Sequence, residues 1–363
     1  MTGERPMRIL QIVSSATTSG TERHVLNLSN LLRRRGHHVQ VICPSGWLPG
    51  KLREYGIPVI ETPMRGKAYF RVVGRVIREI KGDKVDVVHA HLTRAAYFGS
   101  IGGLLTGRPV VATVHIANHD LIYKRMARAN NRLVAVSNYV RGLLHGRGIP
   151  DRFIDTVYNG TDFIDWSSLP GDDVRSEFGI DPSRKLIGLV GRVCREKGHM
   201  LMVSALRELA DEHPEAHVVF VGRVERHFEP EFRAAVADAG LNDRITMTGS
   251  RNDVPRLLDS FDFTTMPSKM ETFGIAAIEA MARTKPVVAS KVGGLPEVVR
   301  HQQTGLLVDL RPEALAEAMS YLLNNEADRR EMGMMGRRVV EEKFTLARMV
   351  DGLESVYASA VGR

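Results

Sequence analysis

The sequence is poor in the features that mark several large protein classes. Two cysteines occur in 363 residues, Cys43 and Cys194, in stretches that read as different domains. No disulfide is expected from them, and a reducing, cytoplasmic setting fits best. No run approaches the ~18 unbroken apolar residues of a membrane-spanning helix. The opening MTGERPMRILQIV has a short apolar run and no small-residue cleavage site, so no secretory signal is expected. The G-x-G-x-x-G of dinucleotide-binding dehydrogenases is missing, and so is a Walker GK[ST]. Thirteen histidines show no C-x-x-C or H-E-x-x-H spacing, and no Asp-x-Asp site is seen, so neither metal nor cofactor is expected. Aromatic residues do not interleave the arginine clusters, which argues against nucleic acid as a partner.

What is present is an ordinary globular balance, 43% hydrophobic and 25% charged. At ~100–200 residues per domain the length predicts two domains. The net charge of +8 is unevenly spread: residues 1–170 carry +12 and the remainder −4. A basic front half implies a polyanionic neighbour such as an anionic membrane surface or phosphorylated substrates.

Short β-branched runs alternate with helical patterns through the front half, at 8–13, 38–43, 59–62, 85–91, 109–115, 132–136 and 155–158. The series restarts at 184–191 and continues at 217–222, 244–247, 261–266, 286–289 and 305–308. Alternation of this kind predicts two doubly wound α/β domains, joined near Trp166–Asp173 where turn formers cluster. Ligands of such folds bind outside the carboxyl ends of the strands, here in a cleft between facing domains.

Five segments offer chemistry there. In SSATTSGTERHV, Gly20 precedes a helix from about Glu22 and serves either an anion at the helix start or a plain turn. In LVGRVCREKGH, Arg192 and Lys197 leave a strand end on one loop, either to grip phosphate or as a solvated charged loop. In PSKMETFGIAAIEAMA, Glu271 and Glu279 flank Phe273-Gly274 and a helix start. Their spacing of eight requires one of them in the preceding loop if both line a cleft. The carboxylates suit sugar and ribose hydroxyls, the helix start a phosphate; a capping Glu with a surface helix pair is the plainer reading. His115 ends the run VVATVH, with His89 and His91 ending DVVHAH, and each is a catalytic or a structural histidine. Finally, Arg71, Arg75 and Arg78 share one face of an amphipathic helix, and Arg33, Arg34 and Arg35 form a second cluster; these face either anionic headgroups or plain solvent.

Taken together these segments resemble the retaining, nucleotide-sugar-dependent glycosyltransferases of the GT-B fold, family 4. Glu271 and Glu279 match the family's E-x7-E signature, GRVCREKG its phosphate-binding Arg and Lys, and SKVGGLPEVV with TGLLV a further recurrent stretch. The resemblance implies two Rossmann-like domains, 1–168 for the acceptor and 169–345 for the nucleotide sugar, with a closing helix in 346–363 crossing back to the first. It implies that Gly20 offers N–H to the donor phosphate and that Arg192 and Lys197 hold the diphosphate. Glu271, with Phe273 and Gly274, would hold the transferred sugar, Ile275 would donate N–H to phosphate, Glu279 would bind the ribose, and His115 would sit by the reacting carbon. Catalysis would use Arg192, Lys197, Glu271 and His115 without a metal. The implied reaction is hexose transfer from a nucleotide sugar, UDP-linked by default, to a glycan, lipid or lipid-linked acceptor at the inner membrane face, in cell-envelope polysaccharide synthesis. Arg223 departs from the family pattern, as does Thr272. Two alternatives are a nucleotide-sugar epimerase or phosphorylase-like enzyme, and a non-enzymatic polyanion- or membrane-binding protein.

Overall fold

The computed structural model describes residues 5–17, 19–64, 69–115, 121–163 and 173–362. The front half runs β1 (Arg8–Val13), α1 (Gly20–Arg34), β2 (His38–Cys43), α2 (Trp47–Glu54), β3 (Val59–Glu61), α3 (Tyr69–Gly82), β4 (Val87–His91), α4 (Thr93–Thr106), β5 (Val110–Val114), α5 (Leu121–Met126), β6 (Arg132–Ala135), α6 (Asn138–Gly146) and β7 (Ile154–Thr156). The rear half runs α7 (Val174–Phe178), β8 (Lys185–Val190), α8 (His199–Glu208), β9 (Ala216–Val221), α9 (Glu229–Asp238), β10 (Ile245–Gly249), α10 (Val254–Ser260), β11 (Phe263–Met266), α11 (Ile275–Ala282), β12 (Val287–Ser290), α12 (Leu295–Val298), β13 (Gly305–Val308), α13 (Pro312–Asn324) and α14 (Glu326–Lys343). A last helix, α15 (Leu346–Val361), closes the chain.

The chain forms two compact units, residues 1–159 with 346–363, and residues 160–345. The turn-rich stretch from Trp166 lies, apart from Asp173, outside the described residues. The first unit holds a seven-stranded sheet, β3-β2-β1-β4-β5-β6-β7, and the second a six-stranded sheet, β10-β9-β8-β11-β12-β13. All the strand pairings are parallel. Every residue of β4, β5 and β9 is buried, as expected of strands covered by helices on both faces. Both domains are therefore doubly wound α/β, as the alternation predicted.

α15 belongs to the first unit because of its apolar stripe. Met349, Val350, Leu353, Val356, Tyr357 and Ala360 recur at helical spacing and join the core of Ile9, Leu28, Leu32 and Val41. Arg35 Nη1 clamps the helix through Asp351 at 2.7 Å and Glu354 at 2.6 Å, and His37 Nε2 reaches Glu354 at 2.9 Å. Arg35 is thus committed to bracing α15, and the expected basic cluster at the end of α1 reduces to Arg33 and Arg34. In the second unit Thr161 N–H donates to the Phe344 carbonyl at 2.9 Å, so the segments entering and leaving it are stitched together.

Candidate functional site

In an open parallel sheet the strand order reverses at one gap, where the outgoing loops part and leave a crevice. In the second sheet that gap lies between β8 and β11. Arg192 and Lys197 follow β8, and Glu271 and Glu279 follow β11, so the topology alone places these residues on the two strands at the gap. Backbone bonds fix the loops. Val193 N–H donates to the Arg223 carbonyl at 2.9 Å, and Glu225 N–H to the Val193 carbonyl at 3.0 Å. Lys269 N–H donates to the Glu196 carbonyl at 2.8 Å, joining the β8 and β11 loops. His199, fully buried at the start of α8, lies 3.1 Å from the Cys194 carbonyl and pins the loop from below.

Side-chain pairing follows the loops. Lys197 Nζ forms an ion pair with Glu271 Oε2, both partly shielded from water. Arg192 Nη1 pairs instead with Glu225, which also lies 3.4 Å from His227. Glu225 was not anticipated; the only hint is its place just after a strand end, beside the departure noted at Arg223. Arg223 itself is exposed and contributes its carbonyl to the loop.

Glu271 sits in the loop and Glu279 in the second turn of α11, the division their spacing demanded. Between them Phe273 is 1% exposed and packs edge-on against Phe344, which anchors the loop. Gly274 N-caps α11 at φ 108°, a left-handed conformation that glycine adopts without steric cost. The cap gives no side chain to the first turn, so the N–H groups of Ile275 and Ala276 have no capping partner there and carry the positive end of the helix dipole.

In the first sheet the order reverses between β1 and β4. Gly20 follows β1 as the first residue of α1 rather than as part of the preceding loop, because Ser19 takes the cap position and binds the Glu22 carboxylate. His115 follows β5 and is 7% exposed. Its Nε2 lies 3.2 Å from Nδ1 of the fully buried His91. His24 of α1 completes the group, with its ring centroid 4.8 Å from that of His115. Burial holds His115 and His91 well below the usual histidine range, and His24 is pushed down to about 4 for the same reason. These imidazoles are neutral at physiological pH. His89 is structural: its ring nitrogens lie 2.6 Å from the Tyr357 hydroxyl and 2.7 Å from the Thr113 hydroxyl, beneath α15. The α1 histidine was missed in the sequence because nothing in its local setting separates it from other polar residues of an amphipathic helix.

On α3, Arg71 and Arg78 are exposed, Arg75 is 3.2 Å from Glu79, and Val72, Val76 and Ile80 are buried. Phe70, at the start of the same helix, is 86% exposed. No helix among the described residues is long and apolar enough to cross a membrane. A separate concavity of about 840 Å³ beside β13 and α13, lined by His301, Asp309 and Tyr321 among others, includes none of the residues above.

Comparison with known proteins agrees with this fold. Residues 172–339 match the family described as Glycosyl transferases group 1, and residues 18–163 match Glycosyltransferase Family 4. A D-inositol 3-phosphate glycosyltransferase of Segniliparus rotundus is 29% identical, over 94% of this chain and 85% of its own. The N-acetyl-alpha-D-glucosaminyl L-malate synthase of Bacillus anthracis is 26% identical, over 95% and 94% respectively. Among solved structures, a glycosyltransferase of Rickettsia africae superposes with a TM-score of 0.90 at 25% identity, covering 98% of this chain and 99% of the other. An Anabaena protein, HepE, solved with UDP-glucose, shares the fold with a TM-score of 0.88 at 22% identity, covering 97% and 100%.

Proposed function

Because the chain belongs to the glycosyltransferases, family 4 in its front half and group 1 in its rear half on a GT-B scaffold, we propose that it moves a hexose from a UDP-sugar to a glycan, lipid or lipid-linked acceptor with retention of configuration. Family membership makes it an enzyme and removes the non-enzymatic reading of the basic half. The observation that carries the donor assignment is the Lys197–Glu271 ion pair at the β8/β11 gap, three residues ahead of the α11 cap.

Breaking a sugar–phosphate bond leaves negative charge on the nucleoside diphosphate. Groups fixed in advance around that charge supply the largest share of such catalysis. Lys197, Arg192 and the N–H groups of Ile275 and Ala276 are cationic or dipolar donors on rigid loops. An arriving diphosphate takes over the Lys197 ammonium and releases Glu271 to accept hydrogen bonds from the sugar hydroxyls beside Phe273 and Gly274. Glu279, one helical turn further in, accepts from the ribose. From the first unit, Gly20 offers backbone N–H to the phosphate. His115, held neutral by burial, offers the sugar a hydrogen bond. No carboxylate is positioned in this scheme as a nucleophile; the leaving phosphate receives the acceptor's proton on the same face, which preserves configuration.

The named relatives differ in acceptor, an inositol phosphate in one and malate in another, so the acceptor is given only by class. Support for an acceptor at an anionic membrane surface is the +12 of residues 1–170 together with exposed Phe70, Arg71 and Arg78. Calorimetry tests the donor assignment. UDP should bind the native chain and bind Lys197→Ala with ~10–100-fold lower affinity, the worth of a charged hydrogen bond. Equal affinity for both proteins would take Lys197 out of the diphosphate site.

A further inference from the structure

The first unit brings three histidines together that the proposed reaction does not need as a group. His24 comes from α1, His91 from the end of β4 and His115 from the end of β5. One ring nitrogen of each lies within 4.8 Å of the others. From this arrangement we infer that His24, His91 and His115 form a binding site for a borderline transition-metal dication such as Zn²⁺ or Co²⁺, with a fourth position left to water.

The geometry is that of a tetrahedral site. Metal–nitrogen bonds of about 2.0–2.1 Å place two ligand nitrogens roughly 3.3 Å apart and two ring centroids roughly 5.2 Å apart. His91 Nδ1 and His115 Nε2 are 3.2 Å apart. The three centroid separations are 4.8, 5.5 and 5.5 Å. Closing the three nitrogens, now within 4.8 Å of one another, onto one ion draws His24 toward the His91–His115 pair.

The proton positions also suit a metal. Gln11 Oε1 accepts from His91 Nε2 at 3.2 Å, which fixes the tautomer and leaves the Nδ1 lone pair directed at the centre. An acceptor behind the ring, most often a carboxylate, a backbone carbonyl or water, is the usual supporting contact of a ligating histidine, and the Gln11 amide oxygen fills that position here. His24 is 7% exposed, and its buried Nε2 has no hydrogen-bond partner among the described residues. Such an orphaned lone pair or N–H is costly in a protein interior. Burial keeps all three rings neutral, the form that binds metal. On coordination, the proton that His115 Nε2 donates to His91 Nδ1 shifts to His115 Nδ1, so both rings stay neutral and present a lone pair to the ion.

Titration of the untagged full chain with Co²⁺ provides the test. One equivalent is expected to bind and to give the intense visible d–d bands of four-coordinate cobalt, and Zn²⁺ should abolish them. His24→Ala should weaken Co²⁺ binding at least tenfold, while His227→Ala, on an exposed residue, leaves it unchanged. If His24→Ala does not fold, the imidazole ¹⁵N spectrum of the native chain decides, with three histidines shifting together on addition of Zn²⁺. Absence of saturable binding, or a weak octahedral cobalt spectrum, overturns the inference. So does a sulfur-to-cobalt charge-transfer band that disappears in Cys194→Ala, since that places the ion at Cys194, Glu196 and Glu225.

Discussion

At the scale of single residues, the proposed site depends on backbone that does not touch a ligand. Gly293 and Gly294 form a backbone shelf under the Glu271 loop. Gly294 N–H donates to the Glu271 carbonyl at 2.9 Å. Gly293 has φ +56°, and a Cβ there would lie 1.8 Å from the same carbonyl oxygen. No flexible side chain can absorb that contact, so the loop itself must move. Gly293→Ala is therefore expected to lower kcat/KM by at least ~10-fold, about 1.4 kcal/mol of barrier. Gly240→Ala is the matched control, because Gly240 also has positive φ, +68°, but nothing within 4 Å of the added carbon. It bears the same backbone strain and should leave the kinetics unchanged. Equal kinetic losses in both variants would show that strain, not displacement of Glu271, is responsible. The sequence marked SKVGGLPEVV as recurrent through its resemblance to a family. It did not show why, because the contact joins residues about twenty positions apart on loops after different strands.

At the scale of elements, what is written locally was legible and what is settled by distant contacts was not. The strands of the described residues were visible as β-branched runs; in the central ones, such as β4, β5 and β9, burial on both faces demands continuous apolar sequence. Strand ends moved by a residue or two, and α1 starts at Gly20, not Glu22, with Ser19 in the cap position and its hydroxyl donating to the Glu22 carboxylate. Arg33, Arg34 and Arg35 looked alike in sequence, yet only Arg35 meets Asp351 and Glu354, which lie more than 300 positions away. α3 is the opposite case, since its stripe of Val72, Val76 and Ile80 under Arg71 and Arg78 follows from spacing alone. Its proposed role at an anionic surface gives a prediction confined to this helix. The native chain should float with vesicles rich in phosphatidylglycerol, and Arg71→Glu with Arg78→Glu should remove most of it from the floating fraction. Loss of binding in high salt should parallel the mutation. Unaltered flotation of the double variant would mean that another face carries the attraction.

At the scale of the whole molecule, the two units differ in how many neutral histidines they bury, and that difference sets their response to acid. Burial lowers His24 to about 4 and holds His89, His91 and His115 well below the ordinary 6.5, all in the first unit. Tyr357, Thr113, Gln11 and Asn159 face His89, His91 and His24, and none of these four carries a negative charge at neutral pH. In the second unit, His199 and His217 are lowered to about 4. A histidine with a depressed folded pKa binds its proton in the unfolded chain first. Its contribution is intact above pH 6.5 and is lost as pH falls toward the folded value, at up to about 1.4 kcal/mol per pH unit for each group. Carboxylate titration adds to this in both units only near the lower end of the range. The first unit should therefore open before the second between pH 6.5 and 4. The two cysteines report each unit separately, since Cys43 and Cys194 are both fully buried. In moderate urea, a thiol reagent active in acid, such as dithiodipyridine, should label Cys43 at a higher pH than Cys194, read peptide by peptide in the mass spectrometer. Labelling of Cys194 first, or of both together, would mean that the histidine cluster does not govern acid stability. Neutral imidazoles packed together with no carboxylate among the described residues to stabilise their protonated form are what leave the first unit open to acid.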